Sequence, residues 1–287
     1  MVWMCPHCTQ PLEARESGLL CVNGHRFDRA REGYVNLLPV QHKRSKNPGD
    51  NSEMVRGRRA LHQAQLYRPL AEALCDLVAT CTHVSTLLDI GCGEGYYDGM
   101  VSERLPDLAV YGVDIAKTAV RLAARDYRRH HYAVASSRNL PVITSSIDLA
   151  MCIFSPVNDS EVARVVRPNG YYLEVGPAAQ HLWELKTALY EQPREHPLLR
   201  RTIPSGELLQ EGECHYEKQL TQTELQAVVA ATPFAFRGHR EKREALREQS
   251  NFAITLGFSW RLFRLAAERD TVASGAVLGD ALESTDL

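Results

Sequence analysis

At 287 residues the chain has room for one substantial hydrophobic core and a small appendage, but hardly for two full catalytic domains. Its 44% hydrophobic and 24% charged residues form a globular balance, and no run of about 18 apolar residues offers a bilayer span. The net charge of -2 gives no global sign of nucleic-acid binding, yet ten Arg or Lys stand against four acids between Arg26 and Arg68, a local excess of six.

The first residues, Met1 to Pro6, carry neither a basic flank nor an apolar stretch of the exported kind, so a soluble cytoplasmic protein with no membrane partner is expected. Thiols stay reduced there, and the eight cysteines read as metal ligands or buried small residues rather than disulfides. Cys5, Cys8, Cys21 and His25 form a C-x2-C-x12-C-x3-H pattern, the thiolate and imidazole set that tetrahedral Zn2+ prefers. Pro6 and Asn23-Gly24 supply the turns that bend the two knuckles. His7 competes for the fourth position; His25 is preferred because it closes a knuckle with Cys21. Four protein ligands leave no site for an activated water, so the metal is expected to be structural and to supply the module's folding energy.

Next comes a segment from Glu32 to Asp50. Tyr34 to Leu38 reads as a short buried strand, whereas the following stretch, with Lys43, Arg44 and Lys46 and then Pro48-Gly49, reads as a loop. Its charges suit contacts to a phosphate backbone, and a solvated linker accounts for them equally well. The expected divisions are a zinc module at 1–38, a basic linker at 39–66, a catalytic domain at 67–265 and an unstructured tail at 266–287.

Leu87-Leu88-Asp89-Ile90 is a short apolar strand running into Gly91-Cys92-Gly93-Glu94-Gly95, after which helical sequence resumes. Open α/β sheets bind nucleotides at such a turn. A dinucleotide fingerprint needs glycine three places after Gly93, where Tyr96 stands, which argues against NAD or FAD. The D-x-G-x-G-x-G pattern instead resembles motif I of the class I methyltransferases, whose loop holds the methionine part of S-adenosylmethionine. One strand later Val110 to Val113 ends in Asp114, a carboxylate placed to accept both ribose hydroxyls. Asp89 as a plain strand-end acid and Asp114 as an N-cap for the next helix are the structural alternatives.

Further strands are expected at His131–Ala135, Ile147–Ile153 and Gly170–Val175, with helical spacers between most of them, the pattern of a parallel sheet covered on both faces. Ser136 and Ser137 follow the third strand, where that fold often places an acid against the adenine amino group; they either touch adenine or cap a turn. Strands at Cys214–Leu220 and Phe252–Leu262 flank a helix whose Thr221 and Glu224 make a capping box. The expected fold is therefore an α/β class I (Rossmann-like) methyltransferase with a seven-stranded, mostly parallel sheet, one late strand antiparallel, preceded by a small zinc-ribbon or finger-like module.

The whole arrangement resembles the 23S rRNA guanine-N1 methyltransferases from Cys5 to about Leu265, with Gly33 to Asp50 its most specific part. Within that family the basic run is similar to the branch that modifies guanine 745 (rRNA numbering) in helix 35. The resemblance implies a hairpin of 23S rRNA as partner, and further cofactor contacts at Tyr67, Gly95, Tyr96 and His181. Tyr67 and His181 are otherwise a core aromatic and a helix-face residue. It also implies removal of the N1 proton from an unpaired guanine as the methyl arrives. No residue announces itself as the base. Phe154 is a candidate to stack on guanine and Asn158 or Asp159 to touch its edge, with core packing the alternative for Phe154. Two rivals stay open: a methyltransferase for a small metabolite such as a quinone, and a non-catalytic RNA-binding protein with a relic cofactor fold. A homodimer is left open as well.

Overall fold

A computed structural model describes residues 1–42, 48–199, 202–204, 206–232 and 240–266. The expected RNA contacts Lys43, Arg44 and Lys46 and the tail from 267 lie outside the described residues. Three short strands, β1 (Leu12–Arg15), β2 (Gly18–Cys21) and β3 (Arg26–Asp28), form an antiparallel ribbon at the N-terminus. Then follow β4 (Val35–Asn36), α1 (Ser52–Gln63), α2 (Arg68–Thr80), β5 (Thr86–Ile90), α3 (Tyr96–Arg104), β6 (Ala109–Asp114), α4 (Lys117–Asp126) and β7 (His131–Val134). The second half contributes β8 (Ile147–Ile153), α5 (Asp159–Val165), β9 (Val166–Pro177), α6 (Trp183–Leu189), β10 (Gly206–Leu220), α7 (Gln222–Ala231), α8 (Arg240–Arg247) and β11 (Phe252–Leu265).

The main sheet runs β10-β11-β9-β8-β5-β6-β7-β4. From β9 to β4 every pairing is parallel, while β11 lies antiparallel to both β9 and β10. The sheet therefore has eight strands rather than the expected seven among the described residues. The eighth is β4, whose Val35 and Asn36 pair with Ala133 and Val134 of β7. Every residue of β8 is buried, as a central parallel strand covered on both faces requires. The strand order reverses between β5 and β8, so a crevice opens at their C-terminal ends, where this architecture binds ligands.

Local chemistry accounts for the elements that frame that crevice. Asn51 caps α1, its side-chain oxygen accepting from the amides of Glu53 and Met54 at 2.9 Å. The helix then lies tight against the end of α7: a Cβ at Gly57 would come within 2.8 Å of the main chain at Ala230 and Ala231. Thr221 and Glu224 form the expected capping box on α7. Among the described residues, no helix is long and apolar enough to cross a membrane.

The ribbon does not stand apart. Val2, Trp3, Leu12 and Leu19 share one apolar cluster with Tyr111, Val142, Ile147 and Tyr172 of the main sheet face. Trp3, 2% exposed, meets the Tyr111 ring edge-on at 5.4 Å. Main-chain bonds lock the joint: Met4 N–H donates to Pro141 and Ile143 N–H to Val2. The metal was expected to supply the module's folding energy; the apolar residues show a second source in the core beneath it. Trp3→Ala should cost about 3–5 kcal/mol by emptying this joint. Ribbon and main domain should still unfold in one denaturant transition; two separated transitions would mean that they fold independently.

Candidate functional site

The loop after β5 is shaped by glycines with left-handed backbone. Gly91 (φ 88°) has no room for a Cβ, which would collide with Ser155 from the loop after β8. At Gly93 (φ 54°) nothing lies within 4 Å of where a Cβ would stand, so the backbone there faces open space. Asp114, at the end of β6, fixes the loop's course. Its carboxylate accepts from the Gly93 amide at 3.0 Å and from the Ala116 amide at 2.7 Å. Burial raises the Asp114 pKa and these two bonds oppose the rise. A donor on each oxygen leaves further lone pairs for ribose hydroxyls.

A cavity of about 830 Å³ opens from this loop. Asp89, Gly91, Gly93 and Tyr96 line one part of it, and Tyr67, Phe154 and His181 line another. Asp114 and Gly95 do not line it: Asp114 is bonded down at the edge, and Gly95 lies beneath Tyr132. Ser136 and Ser137 are also off the wall, and Ser136 Oγ accepts from the Arg138 amide, a turn-capping role. Asn158 and Asp159 do not reach the cavity. Asn158 caps α5 through the Ser160 amide, and Asp159 opens that helix.

Several wall residues escaped the sequence reading. The end of the basic segment lies on the loop after β6, where a Cβ at Gly49 would crowd Ile115 and Ala116. Asp50, beside it, lines the cavity and pairs with Arg58 of α1. Glu94 ties the glycine loop to α1, accepting from Arg59 at 3.1 Å and meeting His62 Nδ1 at 3.0 Å. The His62 ring stacks on Tyr96 at 4.1 Å, and burial lowers its pKa. Glu174 of β9 and Lys186 of α6 line the far side, with His196 beyond them. Asn51, a residue type favoured at helix N-caps, was a helix signal within the linker; the tertiary pairing of Glu94 had none.

His181 is held at both nitrogens. Nδ1 accepts from the Gly257 amide at 3.3 Å, so Nε2 carries the proton and meets the Tyr67 hydroxyl at 3.4 Å. Burial, with the charge of Lys186 adding to it, pushes its pKa down to about 3, which keeps the ring neutral.

Beneath the loop lie two buried carboxyls, Asp89 and Asp98. Tyr132 donates to Asp98 at 3.0 Å, while one oxygen of each acid has no hydrogen-bond partner. Burial pushes Asp98 up to about 7 and Asp89 well above its ordinary value, the neighbouring acid adding to the rise at Asp89. An anion pair without a cation holds a proton in this way, and a sulfonium in the cavity is the kind of charge that would offset its loss.

At the N-terminus Cys5, Cys8, Cys21 and His25 bring four donor atoms within 4.8 Å of one another. His25 Nδ1 lies 3.3 Å from Cys21 Sγ and 3.6 Å from Cys5 Sγ, and the Cys8 and Cys21 sulfurs are 3.7 Å apart. Those are tetrahedral edges for zinc bonds of about 2.0–2.3 Å. His7 is instead stacked on Phe27, 5.8 Å between centroids.

A doubly covered parallel sheet with this loop and acid, joined to a four-donor ribbon, defines an S-adenosylmethionine-dependent class I methyltransferase with structural zinc. Residues 3–46 match the family described as "RlmA, N-terminal" and residues 87–170 match "Methyltransferase domain". A 23S rRNA (guanine(748)-N(1))-methyltransferase of Streptomyces fradiae is 34% identical over 251 residues, covering 85% of this chain and 88% of the relative. A putative 23S rRNA (guanine-N(1)-)-methyltransferase of Micromonospora griseorubida is 30% identical, covering 81% and 86%. One from Bacillus subtilis, also putative, is 27% identical, covering 89% and 94%. The chain belongs to the 23S rRNA guanine-N1 methyltransferase family.

The acid pair fixes a pH dependence. Unfolded carboxyls ionise near pH 4, whereas folded Asp98 holds its proton to about 7. The contribution of Asp98 to the stability of the cofactor-free protein is therefore fully present below the unfolded value and is lost as pH rises through that window. Asp98→Asn, which keeps an acceptor for Tyr132, should gain melting temperature relative to the parent between pH 5 and pH 8. A constant difference across that range would show that Asp98 ionises normally.

Proposed function

We propose that this protein transfers the methyl group of S-adenosylmethionine to N1 of a guanine in a 23S rRNA hairpin. The observation that carries this reading is the continuous cavity from the Gly91–Tyr96 loop to the rings of Tyr67, Phe154 and His181, large enough for a cofactor and a base together. In this reading Gly91, Gly93 and Tyr96 hold the methionine part, with Asp89 beside them, while Gly95 shapes the loop at the start of α3. Asp114 holds the ribose, and Tyr67 and His181 close the wall. When bound, the cofactor supplies a methyl on a positively charged sulfur, so the chain's own contribution is alignment and exclusion of water.

Phe154 is the residue proposed to stack on the guanine. It keeps a left-handed backbone (φ 54°), 38% of its surface is exposed, and its ring lies 6.0 Å from that of Tyr67. Strain at an exposed aromatic on a cavity wall marks a position kept for use rather than for packing. Ser136, Ser137, Asn158 and Asp159 carry no part of this reading. Cys5, Cys8, Cys21 and His25 bind one structural zinc, and the ribbon with Lys43, Arg44 and Lys46 grips the hairpin's phosphates. Guanine 745 in helix 35 is the proposed target, although the Streptomyces relative is named for 748. Action on ribosomal RNA supports a cytoplasmic location.

Methyl transfer from labelled cofactor to 23S rRNA should be followed by a primer-extension stop at guanine 745, since an N1 methyl blocks pairing. A stop at 748 would move the target, and an unlabelled RNA would remove the reading. Asp114→Ala should weaken cofactor binding at least tenfold, about 1.4 kcal/mol, as read by calorimetry. One zinc per chain should be found by metal analysis and none in Cys21→Ser; full zinc in that variant would exclude the site.

A further inference from the structure

His196 lies in the segment after α6, on the cavity wall beyond His181. The ring centroids of the two histidines are 5.8 Å apart, and His181 in turn stands 6.1 Å from Tyr67. The segment is pinned at two points: the His196 amide donates to Ala179 at 2.9 Å, and Lys186 Nζ donates to the Arg194 carbonyl at 2.8 Å. The ring is also hydrogen-bonded to the main chain of His181, while its Nε2 is buried with no hydrogen-bond partner. A proton on Nδ1 satisfies the first of these contacts and leaves Nε2 with a bare lone pair. A buried acceptor left unsatisfied costs stability, and such a group at a ligand cavity calls for a ligand donor.

Several other titratable groups of the wall are committed. His181 uses both ring nitrogens, His62 and Glu94 bind each other, and Asp50 is paired with Arg58. Asp89 also lines the cavity, but burial and the charge of Asp98 raise its pKa and favour its protonated form.

Resting on the guanine-N1 reading above, we propose that His196 Nε2 accepts the N1 proton of the guanine during methyl transfer. As the bond from N1 to the methyl carbon forms, the carbon–sulfur bond breaks and its electron pair stays on sulfur. The N1–H pair becomes the nitrogen lone pair that keeps the methylated base neutral. The proton goes to Nε2, and the resulting imidazolium returns it to water. A weak base suffices, because N1 becomes strongly acidic as soon as the new bond begins to form.

Burial and the charge of Lys186 push His196 down to about 4, so the acceptor form is present throughout the neutral range. The charged groups around it are Lys186 from α6, His181 ahead of that helix, Arg194 and Glu195 from its own segment, and Glu174 from β9 on the same cavity. Lys186, itself lowered by burial, hastens release of the proton after transfer.

Single-turnover methylation of the rRNA hairpin tests this. The parent rate should vary little between pH 6 and 9. His196→Ala and His196→Gln should bind S-adenosylmethionine as the parent does, yet fall by about 100-fold at pH 7 and then climb about tenfold per pH unit, because only guanine already deprotonated reacts. Free imidazole should restore part of the rate to the alanine variant. Independently of turnover, the His196 Nε2 resonance in 15N-histidine-labelled protein, identified by its loss in His196→Gln, should shift when the hairpin is added without cofactor. Variants with parent rates and a flat pH profile would overturn the proposal, as would an unmoved resonance. So would the climbing profile appearing in Glu174→Gln instead. A parent enzyme that methylates no rRNA at all would remove the guanine reading itself, a result distinguishable from all of these.

Discussion

Two hydrogen bonds to one carboxylate organise this protein's site. Asp114 takes the amides of Gly93 and Ala116, and so joins the loop leaving β5 to the start of α4 across two neighbouring strands. Backbone at positive φ is costly for most residues, and the glycines let the loop double back without that cost. The lack of a Cβ at Gly91 also lets Ser155 close in from the β8 side. Three strand ends are thereby drawn around one opening, and the crevice of the reversed strand order becomes a bounded cavity.

The linker completes the enclosure. Parallel sheets leave the C-terminal ends of their strands open, and here α1 covers them from outside the strand-helix alternation. Its hold is electrostatic in the last turns, where Arg59 and His62 meet Glu94, and steric at mid-helix, where Gly57 admits α7. Arg59 also pairs with Asp126 at 2.7 Å, so α4 is drawn into the same network. Because these pairs are partly buried, they suffer less screening than surface pairs. The basic segment starts from β4 in the main sheet and ends at Asp50 on the cavity wall.

Much of this was legible in the sequence, for physical reasons that differ by element. The knuckle spacing encodes a coordination geometry, so Cys5, Cys8, Cys21 and His25 could be read as a set before any fold was known. Asp89 to Gly95 and Asp114 were readable because glycine and strand-end acid positions are local consequences of backbone geometry. The capping box of α7 is local as well, and it formed as expected. What failed to show were contacts between distant segments. Asn158 has the chemistry to touch a base, but its preference for an N-cap decided its place, and α5 turned Asp159 away with it. His196 and Glu174 stand among ordinary residues, and only the fold brings them to the cavity. Trp3, ahead of the ribbon, gave no sign that it would sink into the main core.

In the proposed function the cofactor binds between the glycine loop and α1, and the ribbon serves a different end. Hydrogen–deuterium exchange with and without S-adenosylmethionine measures this directly. Amides from Gly91 to Tyr97 and along α1 should slow markedly on cofactor addition, while β1 to β3 exchange as before. Unchanged rates at the glycine loop, or protection confined to the ribbon, would contradict it.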